Sequence, residues 1–195
     1  MRLLFCGLAL FSACATATAA PTDSVLFATA GAWSIYSDPT TANSCFAISS
    51  FGDGTSIRVG FWHKGYKYPA YVAFSNAKWR SIQSRKEYQV SMQLDSAAPW
   101  RGVASGWIIG TDKAILINVD KPSLFKEFVR SDHVRLTFRD KEIANLSLNG
   151  SGRAITELMN CQAANVDGKP LVAPAPEDPF AIQEATPKSD DPFEL

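Results

Sequence analysis

The chain has 195 residues, 46% of them hydrophobic, and its 19 basic and 19 acidic side chains cancel at neutral pH. This length suits a single domain that can bury a core, and the balanced charge argues against a nucleic-acid partner. Beyond the first twenty residues, no stretch approaches the 18 apolar residues of a membrane-spanning helix.

The amino-terminal segment has the pattern of an export signal. Met1 and Arg2 give a positive start, residues 3–13 are mostly apolar, and Ala17-Thr18-Ala19 forms a small-residue cleavage site. We expect cleavage after Ala19, so that residues 1–19 are a signal peptide and the mature protein is periplasmic or secreted.

Cys14 offers a second way to process this segment. Phe11-Ser12-Ala13-Cys14 is close to a bacterial lipobox, in which Leu usually occupies the position of Phe11. Cleavage before Cys14 would leave a lipid on the new amino terminus. The alternative location is therefore a lipid-anchored protein on a bacterial membrane.

Residues 20–165 are expected to form one β-rich globular domain. Alternating apolar and polar residues at 57–61, 88–94, 134–138 and 145–148 predict strands with one buried and one solvated face, which places Arg58 on a solvated face. Residues 101–109 and 113–119 are apolar on both faces, which predicts central strands.

Turn residues between these runs favour sequential hairpins. Gly52-Asp53-Gly54-Thr55 and Arg139-Asp140-Lys141-Glu142 each separate two strand-like segments. Hairpins between neighbours predict an antiparallel sheet, arranged as a β-sandwich or a barrel.

Two short helices are predicted within the β-rich domain. Residues 122–130 begin with Pro122, and residues 152–162 follow Ser151 as a candidate N-cap. On the second helix Ala154, Leu158 and Cys161 share one face, so Cys161 should point at the domain body.

Cys45 and Cys161 are the two cysteines that remain after ordinary cleavage. In an oxidising compartment such a pair most often forms a disulfide, which here would tie the carboxy-terminal helix to the start of the domain. Two free thiols are the alternative. A metal site is less favoured, because neither histidine lies at ligand spacing from a cysteine.

Aromatic and basic residues are concentrated in residues 62–71, and Lys78-Trp79-Arg80 follows. Aromatic rings supply contact area and cations attract anionic partners, so this mixture suits a protein or an anionic glycan. The alternative is that Trp62, Tyr71 and Trp79 belong to the core. The candidate binding residues are Trp62, His63, Lys64, Tyr66, Lys67, Tyr68, Trp79 and Arg80.

Residues 166–195 form an acidic tail with six prolines and seven carboxylates, which we expect to be disordered. The tail repeats an acidic-Pro-Phe sequence, and a role as short linear motifs is one hypothesis; a merely solvating tail is the other. Residues 20–165 carry 16 basic and 12 acidic side chains. This imbalance suggests anionic partners or a tail that folds back on the body. The motif residues are Asp178, Pro179, Phe180, Asp191, Pro192 and Phe193.

The sequence gives no positive sign of an enzyme. Gly150-Ser151-Gly152 lacks the spacing of a nucleophile elbow, and His63 and His133 are the two histidines a triad could use. No phosphate-binding loop or metal-spaced cluster is recognisable. We therefore predict no catalytic residues, cofactor or metal.

Three short sequences resemble the invasion-associated locus B type of periplasmic protein of alphaproteobacteria: Gly31-Ala32-Trp33, Cys45-Phe46-Ala47-Ile48, and residues 146–151 leading to Cys161. The resemblance implies a small exported β-rich protein, linked in some members to host-cell entry. The leading hypothesis is a non-catalytic, envelope-associated binding protein. The alternative is an envelope hydrolase or a hydrolase inhibitor.

Overall fold

The computed structural model describes residues 24–63, 69–109, 112–120 and 123–165. The predicted signal peptide, its Cys14 and the acidic tail lie outside these residues. None of the helices in the described ranges is long and apolar enough to cross a membrane.

The described residues form ten strands and two α-helices, with a single 3₁₀ turn at Pro39–Thr41. The helices are α1 (Ser123–Arg130) and α2 (Ser151–Ala164). The strands are β1 (Val25–Ala30), β2 (Trp33–Asp38), β3 (Ser44–Ser50), β4 (Thr55–Phe61), β5 (Ala70–Asn76), β6 (Glu87–Leu94), β7 (Trp100–Ile109), β8 (Asp112–Val119), β9 (His133–Phe138) and β10 (Lys141–Ser147).

All ten strands belong to one antiparallel sheet in the order β1-β2-β3-β4-β5-β8-β7-β6-β9-β10. The predicted antiparallel β-rich fold with two short helices is thereby confirmed. Not every strand pairs with its neighbour in sequence. β6, β7 and β8 occur in reverse order in the sheet, so that β5 pairs with β8 and β6 pairs with β9. β7 and β8 are interior strands, as their two apolar faces predict.

One hydrophobic core collects side chains from both ends of the sheet and from both helices. Trp33 of β2 is fully buried, meets Phe128 of α1 edge to face at 6.3 Å, and donates its indole N–H to the Asn149 carbonyl at 3.1 Å. Because Asn149 lies two residues after the end of β10, this contact brings the β2 side of the sheet close to the β10 side.

Helix α2 begins differently from the prediction. Gly150, not Ser151, occupies the N-cap, with φ of 82°, a left-handed conformation that glycine adopts readily. Ser151 is the first helical residue, and its hydroxyl donates to the Phe128 carbonyl at 3.2 Å. The serine therefore joins α2 to α1 instead of capping its own helix.

The predicted disulfide is present between Cys45 of β3 and Cys161 of α2, whose Cα atoms are 6.0 Å apart. The end of α2 is held further by side-chain hydrogen bonds. Gln162 accepts from the Cys45 backbone N–H at 3.0 Å, and Asn165 donates to the Asn43 carbonyl at 2.9 Å. The helix is therefore fixed to β3 by one covalent bond and several polar contacts.

Candidate functional site

The predicted binding residues do not form one described group. Lys64, Tyr66, Lys67 and Tyr68 lie outside the described residues. Trp62 and His63 follow β4, whereas Trp79 and Arg80 follow β5. Because β4 and β5 are antiparallel, the first pair lies at the Ala70 end of β5 and the second lies beyond Asn76. The seven residues of β5 separate the two pairs by roughly 20 Å.

Trp62 is half-buried in an aromatic cluster on the outer face of the sheet, which is the face turned away from the main hydrophobic core. Its ring lies 4.6 Å from Tyr71 and 5.8 Å from Trp107, and its indole N–H donates to Asn118 Oδ1 at 3.0 Å. These contacts leave Trp62 only part of its surface for a ligand. A binding role for this residue stays a prediction.

The other described members occupy mixed surroundings. Trp79 is half-buried and packs against the main core, while Arg80 and His63 are exposed. The Lys113 ammonium donates to the Arg80 carbonyl, which fixes the backbone there without using the guanidinium. Trp79 therefore contributes to packing and Arg80 is a surface cation, and a binding role for either residue stays a prediction.

Arg58 is buried, contrary to the prediction that alternation places it on a solvated face. It is 7% exposed, pairs with Asp38 at 3.0 Å and donates through Nε to the Tyr71 hydroxyl at 2.7 Å. The Phe46 ring covers the guanidinium at 3.5 Å. Alternation identifies two faces of a strand, but here aromatic rings cover the outer face and exclude water from it.

This buried centre also perturbs a titratable group. Burial raises the pKa of Tyr71 to about 12, although the charge of Arg58 and its hydrogen bond act in the opposite direction. Asp38, Arg58 and Tyr71 satisfy one another and are closed to solvent, so we assign the centre a structural role.

An open polar groove of about 800 Å³ lies on the outer face of β6, β7 and β9. Strand register builds it: Ser91 of β6 lies between Arg101 of β7 and Thr137 of β9, and Gln93 is opposite Arg135. We call this surface the basic face, defined by Lys86, Gln89, Ser91, Arg101, Arg135, Thr137 and Arg139.

Positive charge exceeds negative charge in this groove. Four of its lining residues are cations and two, Glu87 and Asp140, are carboxylates. Arg135 pairs with Glu142 at 2.9 Å, but both side chains are about half exposed, which makes the pair weak. For Arg101, no ion pair is present among the residues that the structure describes. The groove can therefore accept additional negative charge.

Aromatic rings lie beside these cations. The Arg139 guanidinium lies 5.1 Å from the Phe138 ring, and the Lys86 ammonium lies 6.0 Å from the Tyr88 ring. The partly exposed Trp100 indole covers Gly102, which lines the groove. Guanidinium groups bind carboxylate and sulfate groups in a bidentate manner, and exposed rings can stack on sugar faces.

Sequence reasoning missed the basic face as a site, although it predicted part of the exposed pattern. Alternation in β6 and β9 correctly separates Gln89, Ser91, Arg135 and Thr137 from the core side. The missing information is that β6 lies between β7 and β9, because pairing partners are not encoded in alternation. That arrangement alone places Arg101 beside Ser91.

His133, one of the two histidines that a catalytic triad could use, is exposed. His133 begins β9, and its backbone N–H donates to Asp95 Oδ1 at 2.8 Å, which joins β9 to the turn after β6. Within the described ranges, no group of three or more His, Cys, Asp or Glu side chains is arranged to hold a metal ion.

No protein-family model matches the sequence, and no curated protein sequence matches it. The fold is similar to the crystal structure of invasion associated protein B from Bartonella henselae. The TM-score is 0.51 and the identity 16%, over 70% of this chain and 97% of that chain. The predicted resemblance is therefore confirmed at the level of the fold.

Proposed function

We propose that this protein is an exported, non-catalytic binding protein of the bacterial envelope, and that its basic face engages an anionic glycan. The observation that carries the proposal is the open groove in which four cations converge with exposed hydrogen-bonding side chains. The likeness in fold to a protein named for invasion supports an envelope or host-interaction role.

The composition of the groove favours a glycan over an acidic protein. Protein interfaces centre on buried aromatic and aliphatic anchors, which are surrounded by polar residues. On the basic face the central positions are polar: Ser91, Gln89 and Thr137. Hydroxyl and amide groups match the dense hydroxyls of a sugar chain, and Arg101 and Arg139 match its carboxylate or sulfate groups.

Binding of an oligosaccharide to the mature protein tests this proposal. We expect a heparin-derived oligosaccharide to bind and neutral dextran of equal length not to bind, measured by isothermal titration calorimetry. The double variant Arg101→Gln/Arg139→Gln should lose at least tenfold in affinity, about 1.4 kcal/mol.

Lys78→Gln/Arg153→Gln is the matched control, because it also removes two exposed cations, and both lie outside the groove. Equal losses in the control and the double variant would reduce the effect to net charge and contradict the proposed site. Equal or tighter binding of poly-glutamate would reassign the basic face to acidic proteins. The alternative of an envelope hydrolase or hydrolase inhibitor stays a prediction.

Export is tested separately by the intact mass of the protein recovered from an expressing bacterium. A mass that begins at Ala20 supports cleavage after Ala19 and a soluble periplasmic or secreted form. A mass that begins at a diacylated or triacylated Cys14 would instead establish the lipid-anchored form.

A further inference from the structure

A second groove, of about 700 Å³, is separate from the basic face and almost entirely apolar. It lies between α1 and α2, where β4 and β8 end and β5 begins, and Phe61, Phe125 and Ile155 are among its lining residues. At its rim, Val129 is 42% exposed and Met159 53% exposed. We call it the helix groove.

Two cations border the helix groove on its α1 side. Lys126 and Arg130 extend from α1 and are exposed, and among the described residues no carboxylate lines the groove. An apolar depression with basic residues on its border fits an aromatic or aliphatic side chain that is flanked by carboxylates. Exposed apolar surface of this kind generally marks a contact site.

The chain itself contains two segments with this chemistry. Glu177-Asp178-Pro179-Phe180 and Asp190-Asp191-Pro192-Phe193 each place a single phenylalanine directly after two acids and a proline. A proline disfavours helical geometry at the residue before it, which favours an extended approach of the acids and the ring to a surface.

Chain length places these segments within reach of the helix groove. The tail leaves the described body at Asn165, just after α2, and Met159 is six residues earlier, about 9 Å along the helix axis. Phe180 follows Asn165 by fifteen residues, and a flexible linker of this length has a root-mean-square span of about 20 Å. Because this span exceeds that separation, the tail can reach the helix groove, and a short flexible linker gives an effective concentration in the millimolar range.

We propose that the helix groove binds the acidic-Pro-Phe segments of this chain's own tail. Phe180 or Phe193 occupies the apolar floor, and the preceding carboxylates approach Lys126 and Arg130. The two copies alternate in one site, which raises the bound fraction without requiring either copy to bind tightly. The tail thereby covers this exposed apolar groove until a competing ligand displaces it.

Photo-crosslinking in the full mature chain tests the proposal. The photoreactive residue p-benzoylphenylalanine replaces Met159 at the rim, and in a control it replaces Ile108, which is 48% exposed on β7 and does not line the groove. We expect tail peptides that contain Phe180 or Phe193 to dominate the products from position 159, at least fivefold above position 108. Equal yields at the two positions would overturn the proposal.

Two variants establish which interactions produce the crosslink. Phe180→Ala/Phe193→Ala should abolish it, and Lys126→Glu/Arg130→Glu should reduce it severalfold, whereas Arg153→Glu should leave it unchanged. An undiminished crosslink in the double-alanine variant would contradict an anchoring role of the rings. In a mixture of isotopically heavy and light chains, heavy–light products would show that the tail of a second copy occupies the groove, which would overturn the intramolecular form.

Discussion

At the residue scale, the outer face of the sheet differs from an ordinary protein surface because it buries an ion pair. Asp38 and Arg58 are both below 10% exposed, and each completes the hydrogen bonding of the other. The desolvation cost of two buried charges is large, so the pair adds little net stability while both partners remain. Removal of one partner is costly, because it leaves the other charge buried without compensation.

Asp38→Asn should therefore destabilise the protein by about 3 to 5 kcal/mol, measured by urea unfolding. The amide keeps an oxygen for the Thr40 backbone N–H, which donates to Asp38 Oδ1 at 3.0 Å. The loss therefore reports on the contact of the second oxygen with Arg58, its charge and its hydrogen bond together. Glu127→Gln, on the exposed side of α1, is the control and should change stability by no more than about 0.5 kcal/mol. A loss at Asp38 below about 1 kcal/mol would show that water reaches Arg58.

Tyr71 gives the same centre a pH dependence. Burial raises the pKa of its hydroxyl from 10.0 to about 12, so between these pH values the unfolded chain loses a proton that the folded chain keeps. Stability should therefore fall as pH rises through this range. The fall should be shallower in Tyr71→Phe, measured by unfolding at a series of pH values. An identical slope in both proteins would mean that Tyr71 ionises as readily in the folded state.

For Arg58, the sequence predicts the direction of the side chain but not its burial. Its position between Ile57 and Val59 correctly predicts that it points away from the main core. Whether the opposite face meets water depends on Phe46, Tyr71 and Trp107, which come from β3, β5 and β7. Only the strand order brings those rings together.

At the scale of elements, strands were predictable where apolar and polar residues alternate, as in β6 and β9. β5 was harder to recognise, because its first residues belong to the aromatic and basic segment, which has the composition of a loop. The pairing of β5 with β8 was not predictable. Local periodicity determines which face is buried, whereas partner choice depends on how the whole sheet closes around its core.

The connection between β5 and β6 depends on a close backbone approach. Gly106 of β7 exchanges two hydrogen bonds of 2.7 Å with Arg85 and Lys86, and a Cβ atom there would lie 2.0 Å from the Gln83 carbonyl oxygen. Gly106→Ala should therefore cost about 1 to 3 kcal/mol in urea unfolding, because the backbone must move apart.

Gly152→Ala is the matched control. Gly152 lies in α2, and an added Cβ would meet Val129 at an ordinary 3.5 Å. Replacement of a helical glycine should stabilise the protein by about 0.5 to 1 kcal/mol. Equal effects at the two glycines would contradict the steric explanation for Gly106.

The disulfide attaches helix α2 to strand β3. The bond joins positions 116 residues apart, so it restricts the unfolded chain strongly. Cys161→Ala should cost about 2 to 5 kcal/mol in urea unfolding under oxidising conditions. Under reducing conditions the difference from the parent protein should nearly vanish. A loss that persists undiminished with reductant would assign the effect to packing of the Cys161 side chain and not to the covalent bond.

At the scale of the whole molecule, charge is distributed unevenly along a chain that is neutral overall. Residues 166–195 contain seven acids and two bases, whereas four cations converge on the basic face. Because the acidic tail is covalently attached, its carboxylates are always near the body and compete with an anionic glycan for the cations of the basic face. This competition does not require the tail to occupy a defined site. The tail should therefore weaken the attraction of the body for any anionic glycan.

Replacement of the seven tail acids by Asn and Gln should strengthen binding of a heparin-derived oligosaccharide at low ionic strength, by roughly tenfold in association constant, or about 1.4 kcal/mol. The gain should disappear near 1 M salt, where the Debye length is about 3 Å and only direct contacts persist. Calorimetric titrations at several salt concentrations measure both effects.

The Phe180→Ala/Phe193→Ala variant keeps every tail charge, so it separates long-range repulsion from occupancy of the helix groove. A gain of equal size in that variant would show that docking, and not charge, is what limits access to the glycan.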